Sequence, residues 1–307
     1  MEQEAAEQEQ YTKKIVLKYG DLIIDNNDID YWYDTFTFGR TKLNNTYRFN
    51  NITVRNYGNL VIQEYANVSY INLNWSDNGV IRDDGGNFTL FTNKDLTIPA
   101  TARLVANTYR NFSTITINGT LTHSGPQADK EYIINLTVVN FTINPTGTIN
   151  ITEKGYAGSE GPGQGVDTAA SSGAAGGAAY GGDGGDGSSS VGGISYGSIT
   201  TPVELGSGGG SSLSGIDRLG GKGGGAVFIN VTNTFTINGS IHADAGSGVT
   251  DGAEDSGGGA GGGIYIIADT ISGNGTISAI GGDGGAADAG SGSGEGLLSI
   301  TQLTVLT

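Results

Sequence analysis

The chain of 307 residues has no cysteine, five prolines, one methionine and two histidines. Without cysteine there is no disulfide framework, no thiolate nucleophile and no cysteine zinc site, and two histidines are too few for a multi-histidine metal centre. Basic residues are scarce, 15 against 31 acidic, for a net charge of −16. That balance excludes a protein that tracks nucleic-acid phosphates and favours a neutral or cationic partner. No run of about 18 apolar residues occurs, so no membrane-spanning segment is predicted. Five prolines among 55 glycines, with no strict Gly-X-Y period, exclude collagen.

What is present divides near Gly155. Residues 1–154 hold 9 glycines and 19 of the 25 aromatics, whereas residues 155–307 hold 46 glycines and 14 acidic residues against only Arg218 and Lys222. The opening MEQEAAEQEQYTKK lacks an apolar signal region and reads as a flexible arm over 1–14. Residues 15–154 read as an N-terminal β domain, 155–219 as a glycine-rich acidic insertion, and 220–307 as further strands with glycine-rich loops. The stretch GLLSITQLTVLT is apolar and β-prone with no turn or polar tail, which suggests either a chain cut from a longer protein or a last strand that pairs with something else.

Secondary structure is predicted to be almost wholly β. NNITVRNYGNLVI, NFTLFT, STITI and INLTVVNFTI alternate apolar with polar residues, as half-buried strands do, and no helix of ten residues is expected beyond the arm. Four segments align on their turns: STITINGTLTHSG (113–125), NFTINPTGTINITEKG (140–155), NTFTINGSIHADAG (233–246) and DTISGNGTISAIGG (269–282). Asn-Gly between alternating runs is a strong hairpin signal, so an antiparallel β-sandwich or jelly roll is one reading. Three short strands per unit, with corners in register, favour the other: an all-β right-handed parallel β-helix, a solenoid with long glycine-rich loops. Its inward residues would be Ile115, Ile117 and Leu121, then Phe141, Ile143, Ile149 and Ile151, then Phe235, Ile237, Ile241 and Ala243, then Ile271 and Ile277.

GTISAIGG, GSIHADAG and GGGIYIIA resemble the repeats of glycine-rich right-handed β-helix surface proteins, the filamentous-haemagglutinin-type and archaeal adhesin-like group. The resemblance covers residues 113–154 and 220–298 and departs at the 156–219 insertion. It implies a rigid stalk or adhesive fibre; some relatives with that architecture are polysaccharide lyases or glycosidases. The glycine runs themselves, such as SGAAGGAAYGGDGGDG, have the composition of flexible linkers. The period of three in GGDGGDG also suits extended polyproline-II-like strands that stack on bare faces.

Thirteen of 25 asparagines stand in N-x-S/T sequons: Asn44, Asn51, Asn67, Asn74, Asn87, Asn111, Asn118, Asn135, Asn140, Asn150, Asn230, Asn238 and Asn274. They are glycosylation candidates on an extracellular protein, although Asn and Thr two apart also share the solvent face of any strand. Asp183, Asp186, Asp244, Asp251, Glu254, Asp255, Asp283 and Asp288 offer oxygen ligands for calcium on permissive backbone. They match no EF-hand spacing, and solvating charge is the alternative role.

Catalytic signals are weak. Gly193-Ile194-Ser195-Tyr196-Gly197 fits GxSxG, but inside a Gly/Ser-rich loop and without a strand-to-helix elbow. His123 and His242 have no evident nucleophile partner, and Arg82-Asp83-Asp84 reads as a turn before Gly85-Gly86. Tyr31, Trp32 and Tyr33, joined by Tyr65, Tyr70 and Trp75, could stack on sugars, anchor a subunit or cap a sheet edge. The expectation is a secreted or cell-surface, non-enzymatic structural or adhesive protein, a filament or coat subunit that self-associates or binds cell-surface glycans. It would need no cofactor unless calcium binds. A polysaccharide-degrading enzyme is the alternative, and a viral receptor-binding fibre the third reading.

Overall fold

The structure, a computed structural model, describes residues 14–18, 20–26, 40–92, 95–126, 131–169, 173–212, 219–251, 254–285 and 297–302. In chain order the strands are β1 (Lys14–Lys18), β2 (Asp21–Asp25), β3 (Arg40–Leu43), β4 (Thr46–Arg55), β5 (Asn59–Gln63), β6 (Asn67–Trp75), β7 (Val80–Asp84) and β8 (Asn87–Phe88). A four-residue helix, α1 (Thr89–Thr92), precedes β9 (Asp95–Ile98), β10 (Arg103–Ala106), β11 (Arg110–Ile117), β12 (Thr120–Thr122), β13 (Ile134–Ile143) and β14 (Thr148–Asn150). The glycine-rich half adds β15 (Gly173–Ala174), β16 (Ala226–Ile237), β17 (Ser240–His242), β18 (Thr250–Asp251), β19 (Glu254–Asp255), β20 (Gly263–Ser272), β21 (Thr276–Ser278) and β22 (Leu297–Gln302).

Three sheets account for most of these strands. Their orders are β1-β2-β4-β6-β8, β3-β5-β7-β10-β12-β14-β17-β21 and β9-β11-β13-β16-β20-β22, and β15-β19-β18 form a small fourth. Every pair is parallel except β1–β2 and β18–β19. The protein is therefore all-β and built on parallel sheets, not on the antiparallel pairs of the sandwich reading. From β2 onward the chain alternates between sheets, and most strands pair with the one that preceded them in the same sheet.

Parallel register puts like side chains above one another. Leu60, Ile81, Leu104, Leu121, Ile149, Ile241 and Ile277 form one inward column, and Leu96, Ile115, Phe141, Phe235 and Ile271 another. Phe141 and Phe235 stack with ring centroids 5.0 Å apart. Eleven of the thirteen residues predicted to point inward are buried, Ile115 through Ala243, whereas Ile271 and Ile277 are only partly covered. Each fully buried Ile or Phe contributes roughly 1.5–3 kcal/mol, so the columns hold together without cross-links.

The Asn-Gly corners serve this stacking and not hairpins. Neither Gly119 nor Gly239 has positive φ, the conformation a tight hairpin turn needs. A Cβ on Gly119 would lie 2.2 Å from Pro99 O, and one on Gly239 would lie 2.1 Å from Gly147 O. Glycine is required there because one corner rests on the backbone of another. Asparagines then stack too: Asn144 Nδ2 donates to Asn118 Oδ1 at 2.7 Å, and Asn72 Nδ2 to Asn51 Oδ1 at 2.9 Å.

Of the two readings of the glycine runs, ordered stacking is the one found among the described residues. The run 254–262 exchanges backbone hydrogen bonds with five others: Ala178 N–H to Gly258 O, Gly257 N–H to Gly210 O, Gly221 N–H to Gly257 O, Gly259 N–H to Gly246 O and Gly282 N–H to Gly259 O, all 2.9–3.0 Å. A strand within a sheet has two bonded neighbours. Five are accessible only when successive peptide groups turn by about a third of a revolution, as in the three-residue period of polyproline II. Side chains would occupy the space these neighbours fill: a Cβ on Gly208, Gly220, Gly223 or Gly262 would fall 1.8 Å from a carbonyl oxygen of another run.

Candidate functional site

The corner that follows β3, β5, β7, β10 and β12 gathers the polar chemistry. Register places Gln63 beside Asp84 and Asp83 beside Ala106, so Asn107 falls next to Asp84. Asn107 Nδ2 donates to Asp84 Oδ1 at 2.7 Å and to Ser124 Oγ at 3.1 Å, and its Oδ1 accepts the Ser124 N–H at 2.9 Å. Arg82 Nε also donates to Asp84 Oδ1, at 2.8 Å. Arg82-Asp83-Asp84 thus closes strand β7 and is not the turn expected from the glycines after it.

Asp83 faces inward with 1% exposure, in the column that otherwise holds Leu43, Ile62 and Ala106. Its carboxylate accepts Arg110 Nε and Nη2, each at 2.6 Å, the Thr108 hydroxyl at 2.9 Å and the Gly85 N–H at 3.0 Å. The Arg110 guanidinium in turn lies 5.0 Å over the Phe91 ring. With every lone pair engaged, this carboxylate is placed for cohesion and not for proton transfer.

His123, the next inward polar group, is 1% exposed. Its Nδ1 lies 2.6 Å from Ser124 O and its Nε2 accepts the Ala226 N–H at 3.2 Å, which assigns the proton to Nδ1. Burial is the main cause that lowers its pKa to about 4, so it is neutral at pH 7. His242 is partly exposed, with Nδ1 2.8 Å from Ser278 Oγ and 3.5 Å from Asp244 Oδ2. A serine partner is therefore present, 36 residues downstream, where spacing alone showed none. The Ser278 hydroxyl donates to Asp244 Oδ2 at 2.9 Å, so its proton points away from the imidazole and the trio lacks the order of a nucleophile–base relay.

Beside the polar corner an open cleft of about 470 Å3 is lined by Asn44, Gln63, Glu64, Tyr65, Asp84 and Tyr132. Tyr65 is 87% exposed and has φ +68°, a left-handed conformation unusual for a bulky residue. Its hydroxyl bonds to the Glu64 carboxylate, which is the first cause raising its pKa.

The other sequence-predicted residues are dispersed. Tyr31, Trp32 and Tyr33 lie outside the described residues. Trp75 is in the core, 5% exposed, with Nε1 donating to Gly79 O at 2.8 Å, so it offers no surface ring. Tyr70 packs against Phe88 at 5.2 Å, and burial pushes its hydroxyl up to about 12. Ser195 of the GxSxG match is exposed, and its N–H donates to Asp183 Oδ1 at 2.8 Å, a contact that lowers the pKa of Asp183.

Of the calcium candidates, Asp186 accepts the Gly192 N–H at 2.9 Å, and Asp244 accepts the Ile280 N–H at 2.8 Å. Asp255 is buried in β19 and Asp283 is exposed. Asp251 and Glu254 stand in β18 and β19, and Asp288 lies outside the described residues. Among the described residues no group of three or more His, Cys, Asp or Glu gathers as a metal site. None of the thirteen sequon asparagines is buried: Asn44, Asn51, Asn67, Asn74, Asn87, Asn111, Asn150 and Asn274 are exposed, and Asn118, Asn135, Asn140, Asn230 and Asn238 partly so.

Missed from the sequence was a ring cluster in the insertion. Tyr180, fully buried, lies 5.0 Å from Tyr196 and donates to Glu204 Oε2 at 2.8 Å, and Tyr156 donates to Glu131. Burial raises all three hydroxyls, Tyr196 to about 12. The available signal was that they are the only aromatic residues in the glycine-rich stretch 155–219. Comparison with known proteins finds no matching family model, curated protein or solved structure.

Proposed function

We propose that the protein is an extracellular, right-handed parallel β-helix with a structural or adhesive role, and that copies associate through the apolar end at β21 and β22. The observation that carries this reading is the exposure of the inward positions of β22. In the column Ile134, Val227, Ile264, Leu298 the first three are 0% exposed and Leu298 is 47%. In the column Leu136, Ile229, Ile266, Ile300 exposure goes from 3% or less to 43%. With Ile271 and Ile277 half-buried as well, β21 and β22, the outer strands of their sheets among the described residues, present apolar side chains together. Such ends pair with further strands, and head-to-tail pairing of a non-closing kind produces filaments. The right hand follows from the near-universal hand of parallel crossovers. Exposed and half-exposed sequon asparagines support export and glycosylation.

Light scattering and electron microscopy of the purified chain test the reading. The expected result is concentration-dependent assembly that the double variant Leu298→Lys, Ile300→Lys abolishes. A chain that stays monomeric at high concentration, or a double variant that assembles like the parent, overturns it.

A further inference from the structure

We infer that the cleft beside the polar corner is a binding subsite for a neutral sugar unit of a glycan, with the Tyr65 ring as its platform. The inference stands apart from the association of copies at β21 and β22, since the cleft belongs to the β3, β5 and β7 corner. Its volume, about 470 Å3, lies within the roughly 300–1,000 Å3 range of small-ligand sites.

Three features select the ligand class. First, an aromatic ring that is 87% exposed sits beside a wall of polar groups, an arrangement that meets both the apolar C–H face and the hydroxyl rim of a pyranose. Second, the wall combines donors and acceptors: Gln63 supplies an amide, and Glu64 and Asp84 supply carboxylate oxygens. Vicinal hydroxyls both donate and accept, so they match such a mixture. Asp84 is held in place by Arg82 and Asn107, so part of the wall is fixed before a ligand arrives. Third, two carboxylates in the cleft and an overall charge of −16 repel uronic acids, sialic acids and phosphates.

Tyr65 is one of eight non-glycine residues with positive φ among the described residues, Tyr57 and Thr101 being others, and a bulky residue held there costs of order 1 kcal/mol or more. The bridge between Gln63 and Gly85 brings the next corner alongside, and there the positive φ, +106°, falls on Gly85. Glycine would meet the backbone requirement at position 65 without strain, and tyrosine holds a ring in solvent instead.

Titration calorimetry of the whole chain with neutral hexose oligosaccharides, and with uronic acid and sialylated oligosaccharides as comparison probes, tests the assignment. Neutral oligosaccharides should bind, Tyr65→Phe should bind within about threefold of the parent, and Tyr65→Ala should bind at least ~10-fold more weakly. Tyr65→Gly should lose binding while its melting temperature is unchanged or raised, an outcome that a merely structural role does not produce. Absence of binding to every neutral oligosaccharide, preference for the acidic probes, or unaltered binding by Tyr65→Ala overturns the inference. Each of these leaves the association of copies, read from oligomeric state, untouched.

Discussion

Lowering the pH should weaken the fold through His123 before most carboxylates protonate. In the unfolded chain this imidazole takes up a proton near its ordinary value of 6.5, whereas in the fold it resists protonation until about pH 4. Between those values the unfolded chain binds more protons, so stability is fully present above about pH 6.5 and is lost progressively as pH falls toward 4. A gap of about 2.5 units corresponds to about 3 kcal/mol for a fully buried group. The structural cause is local: protonating Nε2 would turn the acceptor of the Ala226 N–H at 3.2 Å into a second donor, inside a site with 1% exposure. The assay is urea unfolding of the parent and of His123→Gln, each from about pH 7.5 to about pH 4, because the carboxylate contribution is common to both and cancels in the difference. The parent should lose about 3 kcal/mol more than the variant across that range. Parallel curves for the two proteins, or an imidazole NMR titration centred near 6.5, would refute the reasoning.

Two further outcomes follow from packing. Arg110→Leu should destabilise by about 3–5 kcal/mol by leaving the buried Asp83 carboxylate unpaired, and the double variant with Asp83→Leu should recover much of that loss in the same unfolding assay. Gly223→Ala places a Cβ 1.8 Å from Gly206 O, whereas at Gly125 the nearest atom is 4.0 Å away; the first should cost more than the ~1–3 kcal/mol of ordinary overpacking, and the second should stay within about 1 kcal/mol of the parent by calorimetry.

The strands and their buried faces were legible wherever inward residues are apolar. In β11, β13 and β16 apolar residues alternate with polar ones on either side of one irregularity, and that pattern identifies the buried face without reference to partners. Alternation does not distinguish a parallel neighbour many residues away from an antiparallel one across a turn, so Asn-Gly supported hairpins and stacked corners alike. Only the close approach at Gly119 and Gly239 separates them, and that is a property of backbones brought together from distant positions. Asp83 and His123 were illegible for a related reason. Each occupies an inward position, but its partners, Arg110, Thr108 and Ala226, come from other elements, and a polar residue near a turn reads by itself as solvent-facing. Tyr65 was named among the aromatics with nothing to distinguish it from Trp75. Exposure and φ, which make one a surface ring and the other a core residue, are not written in local sequence.

The glycine lattice follows from where its runs begin. One departs after β14 and returns at β16, another departs after β17 and returns at β20, and a third departs after β21. Departures from equivalent positions of neighbouring parallel strands are set about 4.8 Å apart, too close for runs with side chains to lie side by side in three dimensions. Runs that turn by a third per residue can bond in several directions at that spacing, but only if Cβ atoms are absent from the contact faces. The glycine content of residues 155–307 is thus a consequence of parallel stacking at one corner. His123 lies at the root of this lattice: a Cβ on Gly225 would fall 2.4 Å from its Nε2, and the bond from Ala226 N–H fixes the point at which the longest excursion re-enters the sheets. Protonating that imidazole should therefore loosen the junction between lattice and sheets before either part melts. Hydrogen exchange near pH 4 should show Ala226 and its neighbours losing protection ahead of Ile229 and Phe235, and simultaneous loss would contradict this order.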